Sequence, residues 1–450
     1  MLRRLVLFVV VTALLVAGAV WLADRPGDVT IHWQGWRVDT TVPILLIALV
    51  LLVAAMEIAL RLVRGVVGAP RRWMARRRER RTREGYRALS DGLAAIAAGD
   101  TKAARKLARR ADKMLGDDSL TGLLTARAAE LAGDAGEAER RFRTMLDRPE
   151  TAFVGLKGLM TQALERGDGE AALDFARRAW AARPGAEGLA ATLFDLQAKA
   201  GQWAEAELTL AEAKRHGSLN GAERRHREAL VLNERAALAD AAGDVAEGAR
   251  LALQAHKADP IFVPAAARAA TLLGRMGKSR KAAAVLEGTF RYAPHAALAD
   301  AWTALAPAEE PLARVKRMER LMRANPQAPE SHVALAEAAL AAKLWGQART
   351  HLEAAAKTHP SVRIYTLLAR IEREERGDEA AAQAWQAKAA TAPADPTWVC
   401  AACGARTESW SVGCPTCGAI DRLVWHSPGT GLLPVPVQSS SAMAGGSSSS

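Results

Sequence analysis

Gly99, Gly133, Gly167 and Gly201 stand 34 residues apart, and each is followed by Asp or Gln and then by Ala-rich sequence. Gly243 follows after 42 residues and Gly277 after another 34. The marker is lost in the Pro-rich stretch around position 311, and the phase returns at Leu344 and at Gly377-Asp378. Between markers, apolar residues recur at helical spacing. A fixed period of this length means one small unit repeated, each copy burying its apolar face against the next. Unrelated Ala-rich helices would not hold such a phase four times running.

A helix–turn–helix unit of 34 residues is the signature of the tetratricopeptide repeat. The phase predicts about nine helix pairs over residues 85–394. Ala104, Ala138, Ala172, Ala206 and Ala282 fall where the two helices of a pair approach closely. Pro184, Pro260, Pro294, Pro326 and Pro360 fall near the ends of second helices, where proline stops a helix at little cost. The lengthening between Gly201 and Gly243, around 216–221, predicts a longer turn or extended helices, and a tolerated insertion is its ordinary meaning. Trp180, Trp203, Trp302, Trp345 and Trp385 read as inter-helix packing. Gly167-x-Gly169-x-x-Ala172 mimics a dinucleotide fingerprint but sits in a repeat turn with no strand before it. His216, His226, His351 and His359 lack ligand spacing or acidic partners and read as isolated surface histidines. No nucleophile elbow, P-loop or catalytic constellation is present, so a non-enzymatic protein is expected.

Two apolar runs precede the repeats. Leu5 to Ala23 is uncharged, and Val42 to Leu60 is interrupted only by Glu57. Each is long enough to cross a hydrocarbon core about 30 Å thick. The whole chain has 61 Lys and Arg against 49 Asp and Glu, a net charge of +12. Nine of those charges lie in 61–83, where ten arginines face Glu79 alone. So local an excess is not the footprint of nucleic-acid binding, and only Trp73 is interleaved for stacking. It directs the flanking segment to the cytoplasmic side and suits anionic lipid. Residues 1–60 therefore read as a transmembrane hairpin with spans 5–23 and 42–60 and an external loop 24–41. Residues 61–84 read as an Arg-rich linker, with both chain ends cytoplasmic. A cleaved leader ending near Ala17-Gly18-Ala19 is the rival reading for the first span. The loop alternates Val29, Ile31 and Trp33 before Gln34-Gly35, then Trp36 and Val38, which predicts a small β-hairpin with Trp21, Trp33 and Trp36 as interfacial anchors. Glu57 is placed to pair with Arg61 four residues on.

All four cysteines fall within 400–417, as Cys400-x2-Cys403-Gly404 and Cys414-Pro415-Thr416-Cys417-Gly418. Two such knuckles supply tetrahedral thiolate coordination, so Cys400, Cys403, Cys414 and Cys417 are the candidate metal ligands. Zn(II) is the main reading, as a structural metal in a ribbon over 398–425. A rubredoxin-type iron uses the same knuckle. A module of this size is too small to hold a core without the metal. Residues 426–450, rich in Pro, Gly and Ser, read as a disordered tail. The expected fold class is thus all-α: a two-span hairpin, a tetratricopeptide-like α-solenoid and a small four-cysteine zinc ribbon that closes the end of the array.

The hairpin with Pro26-Gly27, Val29, Trp33, Gly35 and Thr40 in its loop, followed by the Arg stretch and the repeats, resembles the HemY-type membrane proteins of haem-biosynthesis gene clusters. The likeness covers most of the chain and is most specific over residues 1–130. The ending around Trp398, Cys400, Cys403, Trp410, Cys414, Cys417 and Trp425 is similar to members of that family that carry a ribbon. The ribbon also resembles those of RadA-like proteins and of LapB, a lipopolysaccharide-assembly regulator anchored by a single span. The resemblance implies a membrane scaffold whose partner proteins belong to late haem or porphyrin metabolism, ferrochelatase or the oxidase before it. A LapB-like adaptor that presents clients to a membrane protease is the alternative. Direct haem or porphyrin binding through His or Cys is the weakest of the three. A flavin-dependent protoporphyrinogen oxidase shares the family's name in other bacteria, but this chain has no strand–GxGxxG–helix for a flavin.

Overall fold

The computed structural model describes residues 27–116 and 119–427, with scattered positions between 9 and 21. Two compact units are present, Met1–Asp134 and Ala135–Ser450.

In the first unit, β1 (Asp28–Trp33) and β2 (Trp36–Thr41) pair antiparallel with Ile31 opposite Val38. Gln34 and Gly35 make the turn with φ of 46° and 87°. Two positive φ values give the turn whose twist matches that of the paired strands. The anchoring expected of Trp33 and Trp36 concerns side chains outside those described. The first apolar run, 5–23, also lies largely outside the described residues, and with it the two-span topology.

From Val42 a single helix, α1 (Val42–Ala97), continues for 56 residues. Proline in its first turn costs nothing there, because that N–H has no intrahelical partner. Its segment Val42–Arg61 has a mean hydropathy of 2.7 and no buried residues. Among the described residues it is the one helix long and apolar enough to cross a membrane. Glu57 meets Arg61 at 2.6 Å, as the spacing predicts. Residues 61–84, read from sequence as a linker, are the middle of this helix. Its last turns bury Ala88, Leu89 and Ala95 against Ala104, Ala108 and Ala111 of α2 (Thr101–Leu115) and Leu124 and Ala128 of α3 (Ser119–Leu131).

The second unit begins with α4 (Ala135–Thr144). Seven successive pairs follow among the described residues. They are α5 (Pro149–Glu165) with α6 (Gly169–Ala182), α7 (Leu189–Lys199) with α8 (Trp203–His216), and α9 (Gly221–Ala241) with α10 (Val245–Ala258). Next come α11 (Val263–Arg275) with α12 (Ser279–Phe290), and α13 (Ala296–Ala304) with α14 (Pro311–Met322). The last are α15 (Pro329–Ala341) with α16 (Trp345–Thr358), and α17 (Val362–Ile371) with α18 (Glu379–Thr391).

The Gly-Asp marker has a physical cause. At Gly167 and Gly243 the chain takes φ of 73° and 83°, which ends the first helix. The next residue sends its N–H back to close that helix, Asp168 to the Ala163 carbonyl and Asp244 to the Ala239 carbonyl, both at 2.9 Å. The same aspartates then cap the second helix, accepting from the N–H of Ala171 and of Glu247. Five residues past each marker, Ala104, Ala138, Ala172, Ala206 and Ala282 have no exposed surface, which is why only a small side chain serves there. Trp180 and Trp302 are buried between helices, in keeping with a packing role.

Where the marker is missing, α13 and α14 are joined by other means. Trp302 Nε1–H donates to the Arg317 carbonyl, and the Arg317 guanidinium returns to the carbonyls of Trp302 and Thr303 and to Glu309. The eight residues by which the Gly201–Gly243 interval exceeds the period lengthen one helix. α9 has 21 residues, against 13 in α11.

After α18 the chain makes a three-stranded antiparallel sheet in the order β4 (Arg406–Thr407), β3 (Thr397–Cys400), β5 (Leu423–His426).

Candidate metal centre and its seat on the helices

Two tight turns bring the cysteines together. Gly404 N–H donates to the Cys400 carbonyl and Gly418 N–H to the Cys414 carbonyl, both at 2.8 Å. Gly404 and Gly418 have φ of 75° and 66°, which glycine adopts without strain. All four Sγ atoms lie within 4.8 Å of one another. The Cys400–Cys417 and Cys403–Cys414 separations are 3.7 and 3.8 Å. A tetrahedral ion with metal–sulfur bonds near 2.3 Å needs edges of about 3.8 Å, so the arrangement is compatible with a metal site. Cys400 and Cys414 are buried while Cys403 and Cys417 face outward. Amide N–H groups of Cys417 and Thr416 hold the Cys414 thiol down at about 6 despite its burial, so one thiolate is ready for a cation.

The ribbon does not close the end of the array, as expected from its place in the chain. Asp395, in the short connection after α18, accepts the N–H of Arg363 at the start of α17 with both oxygens, at 3.1 Å each. The Pro393 carbonyl accepts from Val362 N–H, so the chain is turned back over the repeats. The ribbon then rests along the first helices of four successive pairs. Ile420 packs into the cluster of Phe194 (α7) and Val231 (α9). Trp410 meets Phe262, at the start of α11, edge to face at 5.2 Å. Trp398 and Trp425 sit 5.2 and 4.1 Å from the His295 ring, at the start of α13. Between ribbon and helices, a cavity of about 390 Å³ is walled by Val263, Arg268, Trp398 and Trp410.

One residue ties the two parts together. His226 Nδ1 is 2.7 Å from Asp259 on the helical side, and its Nε2 is 3.0 Å from Asp421 of the ribbon. Burial opposes its protonation, but the two carboxylates overcome that and lift its pKa to about 10. His226 is therefore an imidazolium between two carboxylates at neutral pH. This corrects its reading as an isolated surface histidine. It also gives the inserted residues a use, because His226 lies in the first two turns of the lengthened α9. His351 is likewise not isolated, its Nδ1 lying 3.0 Å from that of His332. His295 behaves in the opposite way: burial lowers its pKa to about 4. Its Nδ1 accepts from Ala297 N–H, so the proton sits on Nε2, a buried donor with no acceptor among the described residues.

The family profile described as HemY protein N-terminus matches residues 27–133. A relative described as probable magnetosome protein Mms48, from Magnetospirillum gryphiswaldense, is 30% identical over 426 residues, 94% of each chain. The chain belongs to the HemY N-terminal family. In this family member the matched stretch ends one residue short of the boundary of the first unit at Asp134. It takes in the β-hairpin, the apolar segment and the first packed helices. Among solved structures, a tetratricopeptide repeat protein from Parabacteroides merdae is 15% identical, covering 53% of this chain and 92% of its own, with a TM-score of 0.28. A structure described as MamA is 19% identical over 35% of this chain and 92% of its own, with a TM-score of 0.24. At those scores neither likeness adds to what the helices themselves show.

Proposed function

We propose that this chain is a non-catalytic adaptor that holds partner proteins at a membrane surface. One observation carries the reading: α1 runs without interruption from an apolar segment of membrane-spanning length into the first packed helices of the repeats. A tether built that way has no use for a soluble enzyme but suits a platform fixed to a bilayer. The run 5–23 would form a second span, with both ends of the chain cytoplasmic and the arginines of 61–83 against anionic headgroups. Cys400, Cys403, Cys414 and Cys417 would hold one structural Zn(II), which the 3.7–3.8 Å sulfur separations support; an iron would fit the same ligands.

The resemblance to HemY-type proteins of haem-biosynthesis gene clusters favours partners in late haem synthesis. The name of the relative that matches along 94% of the chain favours a second reading, partners that assemble on a magnetosome-type membrane. Affinity purification of the full chain from detergent-solubilised membranes tests both. Recovery of ferrochelatase or its neighbouring oxidase supports the first, and recovery of magnetosome membrane proteins supports the second. Lipopolysaccharide enzymes with a membrane protease would overturn both, and a chain that recovers no partner would overturn the adaptor itself.

A further inference from the structure

The ribbon covers the first helices α7, α9, α11 and α13 but stops there, and the same face continues open along α13, α15 and α17. A slot of about 270 Å³ lies on this open stretch. Its walls include Val333, Pro329, Ile364, Pro360 and Pro393, and the ribbon closes one side with Trp425. An apolar floor of that size accepts one or two aliphatic side chains.

The rim is acidic. Asp300, Glu330, Glu337 and Asp395 line the slot, and Arg363 is the one Lys or Arg among its lining residues. Arg363 is already committed: its Nε and Nη2 donate to Glu337 at 2.8 and 2.5 Å, while its backbone N–H holds Asp395. Asp300 and Glu330 have no cationic partner among the described residues, and Asp300 is exposed. A positive group entering the slot would meet two uncompensated carboxylates, and a negative one would be repelled.

We propose that this slot binds an extended segment of a partner protein in which an aliphatic residue or proline stands beside Lys or Arg. The proposal rests on the adaptor reading and names the chemistry of what the adaptor holds. The rim selects by charge and the floor by shape, and the ribbon contributes a wall, so the site exists only while the ribbon is seated.

The test selects a displayed library of random octapeptides on the full chain in detergent micelles, in parallel with the Asp300→Asn/Glu330→Gln variant. The wild-type pool should be enriched in Lys or Arg within two positions of Leu, Ile, Val or Pro. A fluorescent peptide from that pool should bind the variant about tenfold more weakly and with a shallower salt dependence. Both substitutions keep side-chain size, and unchanged thermal unfolding confirms the fold. Asp300→Asn alone, on an exposed side chain, gives a change of the same sign. A pool without basic enrichment, or a peptide that binds variant and wild type equally, overturns the proposal. A chain ending at Ser427 provides the competing outcome. If only that shortened chain selects peptides, the slot belongs to this protein's own Leu432–Val437 segment, and the partner assignment fails. Partners captured from membranes that remain bound to the double variant would sink the slot while leaving the adaptor standing.

Discussion

His226 shows how much one side chain can carry in a chain of weak, repeated contacts. Its pKa is raised in the folded protein, to about 10 from about 6.5. A group raised in this way stabilises most below its unfolded pKa, and its contribution is lost as pH climbs through the folded value. Asp259 is shifted the other way: burial would raise it, but the His226 partner brings its pKa down. Its contribution is therefore present above about pH 4 and fails in acid. Ribbon docking should hold across neutral pH and weaken as pH approaches 10, whereas the acid loss belongs to the His226–Asp259 pair within the helices. Trp fluorescence from Trp398, Trp410 and Trp425 follows docking, and His226→Ala should remove the alkaline limb of the profile. Two further residues report on the turns. Asp244→Ala deletes a cap and should cost about 1 kcal/mol in denaturant unfolding. Lys343 stands at φ 58°, where its neighbours in phase have glycine, so Lys343→Gly should stabilise by roughly 0.5–1 kcal/mol. The caps and turns were legible in the Gly-Asp spacing. His226 was half legible, because Asp259 stands 33 residues away, close to one period. Asp421 is 195 residues off, and no spacing points to it.

Between elements, the close approaches set the tolerances. α4 and α5 touch through glycine: a Cβ at Gly155 would come within 2.6 Å of the Phe142 carbonyl oxygen, and one at Gly158 within 2.5 Å of its ring. Backbone cannot yield as a side chain can, so Gly155→Ala should lower unfolding stability by roughly 1–3 kcal/mol. Gly136→Ala, which would meet only the far end of the Arg140 side chain at 3.6 Å, should have little effect and serves as the control. These contacts were not legible, since a glycine inside a helix has many meanings and the residue it faces comes from another element. The extension of α9 has a similar history. Eight extra residues announce themselves in the period, but their purpose appears only when the ribbon is found against them.

At the scale of the second unit, the described residues form fourteen paired helices, and the ribbon lies on the first helices of four of those pairs. The ribbon's own buried apolar residues, among those described, are Val399, Cys400, Cys414 and Leu423. So small a cluster would not hold the module alone, and with an ion held by the four cysteines the seat on α9 and α11 is expected to depend on that ion. Chelation, or Cys414→Ser, should raise amide hydrogen exchange in 226–231 and 262–268 while leaving 149–182 unchanged. That the two knuckles bring the four cysteines together was legible from their spacing. Their position was not, because a C-terminal module on a linear array is naturally read as its cap. The turn that folds it back depends on Asp395 and Pro393, which carry no recognisable pattern.

The unbroken α1 makes the tether a crankshaft. Each residue of an α-helix advances the axis by about 1.5 Å and turns it by about 100°. Adding one residue between 61 and 84 would swing α2 and α3 by about that angle around the membrane normal of an upright helix. Four added residues would bring them almost back to their original bearing, about 6 Å further from the bilayer. A partner embedded in the same membrane would therefore lose contact after one insertion and recover much of it after four. Such a compass-like dependence would not arise if the repeats hung from a flexible strand.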